Sequence, residues 1–428
     1  MQTETRALDR NDVRTLTLAS LGGALEFYDF IVFVFFASVI GKLFFPPDTP
    51  EWLQLLQTYG IFAAGYIARP LGGIVMAHFG DIIGRKRMFV FSVLLMAVPT
   101  LLIGLMPTYA TLGYAAPILL LVFRIMQGAA IGGEAPGAWV FVAEHVPPGR
   151  VGLACGMLTG GLTLGILLGS LMALVINRNF PAEIIADWAW RIPFLVGGAF
   201  GFLAMYLRRF LHETPVFEAI RARAEASRGI PLVKALAGHG RAIAVSLVAS
   251  WMLTAAIIVL ILLAPTNIPK LFGIAPADMS LANFAATATL TISAVFVGWC
   301  LDRFGLKPVM AVAALALVAG AYALYAGVQA RPDLVVPLYA FAGFTVGAVS
   351  IVPYVMVNAF PPEVRFSGVS FAYNMAYAVF GAVTPYLIAW LITEDSIGPA
   401  HYVAAAVLVG ALTILLGVRP TAARSAAA

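Results

Sequence analysis

Long apolar runs separated by short polar punctuation dominate this chain. They fall near 14–41, 54–79, 87–107, 115–143, 150–177 and 189–210, then, after one polar segment, near 242–266, 280–301, 307–328, 334–357, 367–392 and 400–418. Each is about as long as the roughly 20 residues that a helix needs to cross the hydrocarbon core. None shows the ten-residue apolar–polar alternation of a membrane barrel strand. Inside a bilayer no water satisfies backbone N–H and C=O groups, so such runs are predicted to be helices that close their own hydrogen bonds. The pattern predicts an all-α membrane protein of twelve transmembrane helices. Two six-helix halves, 1–210 and 241–428, flank a polar linker at 211–240 whose Ala-rich, charged spacing around 216–227 reads as an amphipathic helix.

Composition sharpens this. Of the 428 residues 61% are hydrophobic and 11% charged, against about 25% charged in soluble domains, which excludes a water-soluble fold. The net charge of +5 does not point to nucleic acid, because the cations sort by loop and form no basic, aromatic-interleaved patch. With the N-terminus placed in the cytoplasm, sixteen Lys and Arg residues lie in loops on that side. Five lie opposite (Lys42, Arg178, Arg191, Lys270 and Arg331), a bias that predicts both termini cytoplasmic. The N-terminal stretch lacks a signal-peptide pattern, so the first span is expected to persist. The two cysteines, Cys155 and Cys300, sit in apolar runs and offer neither a disulfide framework nor metal spacing. His78, His145, His212, His239 and His401 all fall at or beyond span ends. No P-loop, H-E-x-x-H or G-x-S-x-G occurs. The chain is therefore expected to be neither an enzyme nor an ATP-driven pump, with no metal and no cofactor beyond protons as coupling ion.

The halves repeat. Gly80-Asp81-Ile82-Ile83-Gly84-Arg85-Lys86 follows span two and Leu301-Asp302-Arg303-Phe304-Gly305-Leu306-Lys307 follows span eight, with 221 residues between the aspartates. Pro147-Pro148-Gly149-Arg150 after span four and Pro361-Pro362-Glu363-Val364-Arg365 after span ten repeat at 214. Six-span repeats about an axis along the membrane normal are a known transporter architecture.

Charges inside spans are the candidate chemistry, since each is costly at bilayer depth and faces a bundle interior or wet cavity. Glu26 and Asp29 lie three residues apart in span one and share a helix face. Both read as proton- or substrate-binding groups, or else as partners in a structural network. Arg124 and Glu134 lie in span four. Glu134 suits either transport or packing and latching beside Gly128, Gly132 and Gly133. Arg69 in span two is either an anion-steering group or a side chain snorkelling to the headgroups. Spans seven, eight, nine, eleven and twelve hold no internal acid or base, so contacts there must be polar or aromatic. Tyr373 and Asn374 are the candidates, and Tyr28 joins Arg69 and Arg124 as a possible substrate contact.

The D-x-x-G-R-K loop at Asp81–Lys86 resembles the signature of the major facilitator superfamily. The narrower set is similar to its metabolite:proton symporter branch: Leu25-Glu26-Phe27-Tyr28-Asp29-Phe30, Arg69-Pro70-Leu71-Gly72-Gly73, Arg124-Ile125-Met126-Gln127-Gly128, Trp190-Arg191-Ile192-Pro193-Phe194, Glu213-Thr214-Pro215 and Ala378-Val379-Phe380-Gly381. Ala77 and Ile82 depart from the signature, which usually has Gly and a basic residue there. The resemblance implies gating by Asp81 and Arg85, with Asp302 and Arg303 as second-half counterparts. In the family's fold spans one and four adjoin. Asp29 and Arg124, roughly 18 and 14 Å from the outer ends of their helices, are then expected to meet, as a proton switch or a permanent ion pair. The expected activity is inward symport of a small metabolite with protons. The preferred substrate is a carboxylate such as citrate or 2-oxoglutarate; alternatives are a zwitterion such as proline or betaine, a proton-antiport drug exporter, or a transporter-like sensor. The expected setting is a bacterial-type inner membrane, as a monomer, with only solute and lipid as partners.

Overall fold

The structure, a computed structural model, describes residues 8–83, 85–208 and 231–417; of 77–90, 208, 231–234 and 363 no side chain is described. The long helices are α1 (Arg10–Phe35), α2 (Glu51–Ile83), α3 (Arg85–Leu105), α4 (Ala115–His145), α5 (Val151–Asn179) and α6 (Ile192–Arg208). After a short helix, Pro231–Gly238, come α7 (Gly240–Phe272), α8 (Pro276–Phe304), α9 (Leu306–Ala330), α10 (Pro332–Ala359), α11 (Val364–Glu394) and α12 (Gly398–Gly417). Among the described residues ten helices are long and apolar enough to cross a membrane, all of these except α2 and α3. α2 has 33 residues, and the side chains of its last seven lie outside the described residues. In α3 the described side chains begin at Phe91, and Phe91–Leu105 forms a shorter apolar stretch. The first expected span is also broken, at Phe36, where α1 gives way to a separate helix, Ala37–Phe44. The expected linker helix around 216–227 lies outside the described residues.

Local chemistry sets helix ends. Asp9 and Asp12 form a reciprocal capping box at the start of α1, each carboxylate accepting from the other's backbone N–H at 2.8 and 3.0 Å. Arg191 donates to the carbonyls of Gly104 and Met106 at 2.9 and 2.7 Å. It thereby satisfies orphan acceptors at the end of α3 and ties that end to the start of α6.

The packing has an internal repeat. In the first six helices α1 packs on α5 and α6, α2 on α4, and α3 on α4 and α6. In the second six α7 packs on α11 and α12, α8 on α10, and α9 on α10 and α12. Every pair recurs six helices later. The two groups meet through α5 against α8 and α2 against α11, themselves equivalent under the same shift. Where α5 meets α8 the backbones touch: a Cβ on Gly156 would lie 2.8 Å from both the Ala294 carbonyl oxygen and the Gly298 Cα. Lipid supplies no hydrophobic drive between helices, so such small-residue contact is how they associate.

Contacts close the inter-group interface at both ends. At one end the Asp302 carboxylate of α8 accepts from the backbone N–H groups of Gly152 and Leu153 at 2.7 and 2.8 Å, capping α5 from the other group. Beside it Arg365 pairs with Glu144 at 2.9 Å. At the opposite end Asn177 donates to Ser280 at 2.8 Å and Lys270 lies 3.5 Å from Glu51.

Candidate functional site

Between the closed ends, α2 and α11 bring together three residues singled out in the sequence. Arg69 is 1% exposed, so it does not snorkel. Its Nε donates to Asn374 Oδ1 at 3.3 Å across the interface. Its guanidinium carbon sits 4.2 Å from the ring centre of Tyr377, 5.0 Å from Tyr373 and 5.8 Å from Tyr66. Rings at such distances attract a cation through their quadrupoles. Asn374 is held in turn, its amide donating to the Gly132 carbonyl of α4 at 2.5 Å and to Ser370 Oγ at 3.2 Å. One guanidinium nitrogen, Nη2, is buried without a hydrogen-bond partner, and among the described residues no acid pairs with Arg69. Trp139 of α4 meets the Tyr373 ring edge-on at 4.9 Å, its indole N–H also buried without a hydrogen bond. A π-helical turn at Tyr377–Gly381 interrupts α11 at this point; such turns are rare and concentrate at functional sites.

Asp29 lies in a different place. It is 1% exposed and both carboxylate oxygens are buried without a hydrogen-bond partner. It points at α6, where glycine makes room: a Cβ on Gly197 would lie 2.7 Å from Asp29 Oδ1, and one on Gly201 3.4 Å from Oδ2. The Thr100 methyl of α3 reaches the same spot, 2.8 Å from the Gly197 Cβ position.

The expected contact between Asp29 and Arg124 is not formed. Arg124, fully buried, turns toward the Phe30 carbonyl at 3.1 Å and Gln127 Oε1 at 2.8 Å. It lies over the rings of Phe30, Phe33 and Phe62, at 4.2, 4.6 and 5.3 Å. Gln127 passes the link on, donating to Thr100 Oγ1 at 2.7 Å. Similar depth along two helices did not bring the side chains together because rotation about each axis points them at different neighbours. Through Phe62 and Tyr66, whose ring centres are 4.6 Å apart, Arg124 adjoins the Arg69 cluster.

The remaining candidates are spread out. The Tyr28 hydroxyl donates to the Pro193 carbonyl at 2.9 Å and its ring meets Phe200, inside the first six helices and apart from the Arg69 cluster. Glu26 is buried within α1. Glu134 is buried and accepts from Ser92 at 2.5 Å. Asp302 makes the cross-group cap, whereas Arg303 is exposed. The side chains of Asp81, Arg85 and His78 lie outside the described residues. Residues that sequence reading passed over are Tyr66, Gln127, Thr100, Trp139 and Gly197. Tyr66 and Gln127 each stand three positions from an embedded arginine on its own helix, a usable signal; the other three carried none.

Comparison with known proteins places this geometry. Residues 15–234 match the family described as sugar (and other) transporter, and residues 243–428 match that described as Major Facilitator Superfamily. The chain belongs to the major facilitator superfamily. Similar curated members are membrane transporters. They include a proline/betaine transporter of Salmonella typhimurium, 32% identical over 94% of this chain and 82% of its own. A citrate-proton symporter of Klebsiella pneumoniae is 32% identical over 91% of this chain and 88% of its own. The inner membrane metabolite transport protein YhjE of Escherichia coli is 30% identical over 90% and 89%. The superfamily fold is also that of the proton:xylose symporter XylE bound to 6-bromo-6-deoxy-D-glucose, at 18% identity, a TM-score of 0.74, and coverage of 95% of this chain and 94% of that one. The chain is thus a multi-pass membrane transporter of this superfamily and not an enzyme.

Proposed function

We propose that the protein is a proton-coupled secondary symporter importing a small organic carboxylate. It works as a monomer in a bacterial-type inner membrane, through twelve spans in two six-helix halves with both termini cytoplasmic. The observation that carries the substrate class is Arg69: a buried cation at the interface of the halves, with no acid paired to it among the described residues and one nitrogen lacking a hydrogen bond. A carboxylate suits that cation, since a guanidinium fork matches its two oxygens. Asn374, Tyr373 and Tyr66 then line the same place from both halves. Substrate engages groups on α2 and α11 together, and the halves rock about it in alternating access. The Asp302 cap and the Arg365–Glu144 pair serve as the cytoplasmic latch.

Asp29 carries the coupling proton in this reading, supported by its burial without a partner in the first half, away from the Arg69 site. Arg124 stands between the two. A zwitterion is the second reading, favoured by the proline/betaine transporter among the relatives. Its carboxylate would still use Arg69, while the aromatic cage that would suit its cationic end already holds the protein's own guanidinium.

Proteoliposomes with an inward proton gradient test both readings, against citrate, 2-oxoglutarate, shikimate, an aromatic acid, proline and betaine, with and without a protonophore. Accumulation of an acid, abolished by the protonophore, is expected. Accumulation of proline or betaine alone replaces the carboxylate reading, and uptake indifferent to the protonophore removes proton coupling.

A further inference from the structure

The structure joins the arginine of span four to the acid of span one indirectly. Arg124 Nη1 donates to Gln127 Oε1, Gln127 Nε2 donates to Thr100 Oγ1, and Thr100 Oγ1 donates to the Met96 carbonyl one turn back at 2.9 Å. Every side chain in this row is at most 1% exposed. The row stops one group short of Asp29, because Thr100 turns its methyl, not its hydroxyl, to the space at Gly197 that it shares with the Asp29 carboxylate. Hydroxyl and methyl sit on the same Cβ, and one step between staggered χ1 wells carries the hydroxyl into the methyl's place while the methyl moves on to the third position. In helices threonine divides between two such wells, one of which bonds a carbonyl a turn back.

We propose that Thr100 is the positioning residue that ties the protonation of Asp29 to the placement of Arg124. With Asp29 protonated, the Thr100 hydroxyl stays on the Met96 carbonyl, accepts from Gln127, and Arg124 is held toward Phe30 and the substrate side. When Asp29 gives up its proton to the side to which the site is open, the new carboxylate has no donor. Thr100 rotates to supply one, Gln127 loses its acceptor, and Arg124 is released from its hold. Around Gly197 and Gly201 of α6, which the Asp29 carboxylate approaches, stand Thr100 and Ala97 of α3 and the ring of Tyr28. The titratable groups about it are Glu26 and Tyr28 on its own helix. A rotamer with two discrete positions is the kind of two-state element that coupling between sites requires. The inference rests on Asp29 as the proton-carrying acid.

Thr100→Val removes the hydroxyl at nearly constant shape, and Thr100→Ser keeps it. Each variant is measured in proteoliposomes for gradient-driven accumulation and for counterflow exchange at equal pH, which needs no net proton movement. The ratio of the two cancels the amount of folded protein. In Thr100→Val the ratio is expected to fall about tenfold and the pH dependence of uptake to flatten, while Thr100→Ser keeps the wild-type ratio and profile. A wild-type ratio in Thr100→Val overturns the inference, as does equal loss of accumulation and counterflow, or a Ser variant no better than Val. A wild-type protein whose accumulation ignores a protonophore instead overturns the proton-coupled reading itself, and this inference with it.

Discussion

Arg69 and Asp29 are both charged residues buried in the membrane interior, yet their settings are opposites. Arg69 stands where two groups of helices meet, touched by α2, α4 and α11, with rings and an amide carbonyl around its cation. Asp29 stands within the first group alone, against glycines of α6 and the methyl of Thr100. A group that must sense substrate and move with one half against the other belongs on the interface. A group that only gains and loses a proton can sit in one packed half, where geometry holds through the cycle. The contrast separates recognition from coupling, and the Arg124–Gln127–Thr100 row lies between them.

The largest effect is expected at the interface. Arg69→Gln should lower kcat/KM for uptake by about two orders of magnitude, since truncating one partner of a buried charge pair costs about 2–5 kcal/mol. Arg69→Lys should recover little, because a point charge does not reproduce the bidentate fork. Initial-rate uptake decides it, and near wild-type rates in Arg69→Gln would break the assignment of recognition to this site. Next comes Asp29→Asn, which keeps shape and removes titration. Gradient-driven accumulation should fall about tenfold or more and lose its response to protonophore, the ~1.4 kcal/mol that a factor of ten represents being a small part of a proton gradient's drive. If Asp29→Asn remained fully proton-driven, the two sites would no longer divide the work. Asn374→Ala should raise KM about five- to tenfold, the ~1 kcal/mol of a hydrogen bond or somewhat more, with the protonophore response intact. A changed response would place Asn374 on the coupling side. The smallest effect is expected for Tyr28→Phe. It loses one hydrogen bond to Pro193, ~1 kcal/mol of stability, visible in thermal unfolding while uptake stays within twofold.

Much was legible before any coordinates. Burial in lipid demands unbroken apolar runs and makes any embedded charge conspicuous, so Asp29, Arg69 and Arg124 stood out against their surroundings. The repeat of Asp81 in Asp302 foretold helix pairs that recur six positions later. Less legible was the break at Phe36, where the first apolar run splits into α1 and the separate helix Ala37–Phe44. Side-chain partnerships were least legible of all. Depth along a helix follows from residue number, but the direction a side chain faces depends on rotation about the axis and on what packs there. Asp29 and Arg124 therefore lie at similar depths without touching, and Tyr28 adjoins Asp29 in the chain while bonding to α6.

What the sequence determined by itself was an all-helical membrane bundle, its internal repeat, and the few ionisable groups worth their cost in lipid. Those follow from periodicity, transfer energy and counting, which act locally along the chain. What only the tertiary structure decided was who faces whom: Arg69 with Asn374 and a ring of tyrosines, Arg124 with Gln127, and Asp29 with the bare backbone of α6. Glycines and neutral hydroxyls make those choices, and they carry no signal in a hydropathy pattern because their contribution is space and a single hydrogen bond.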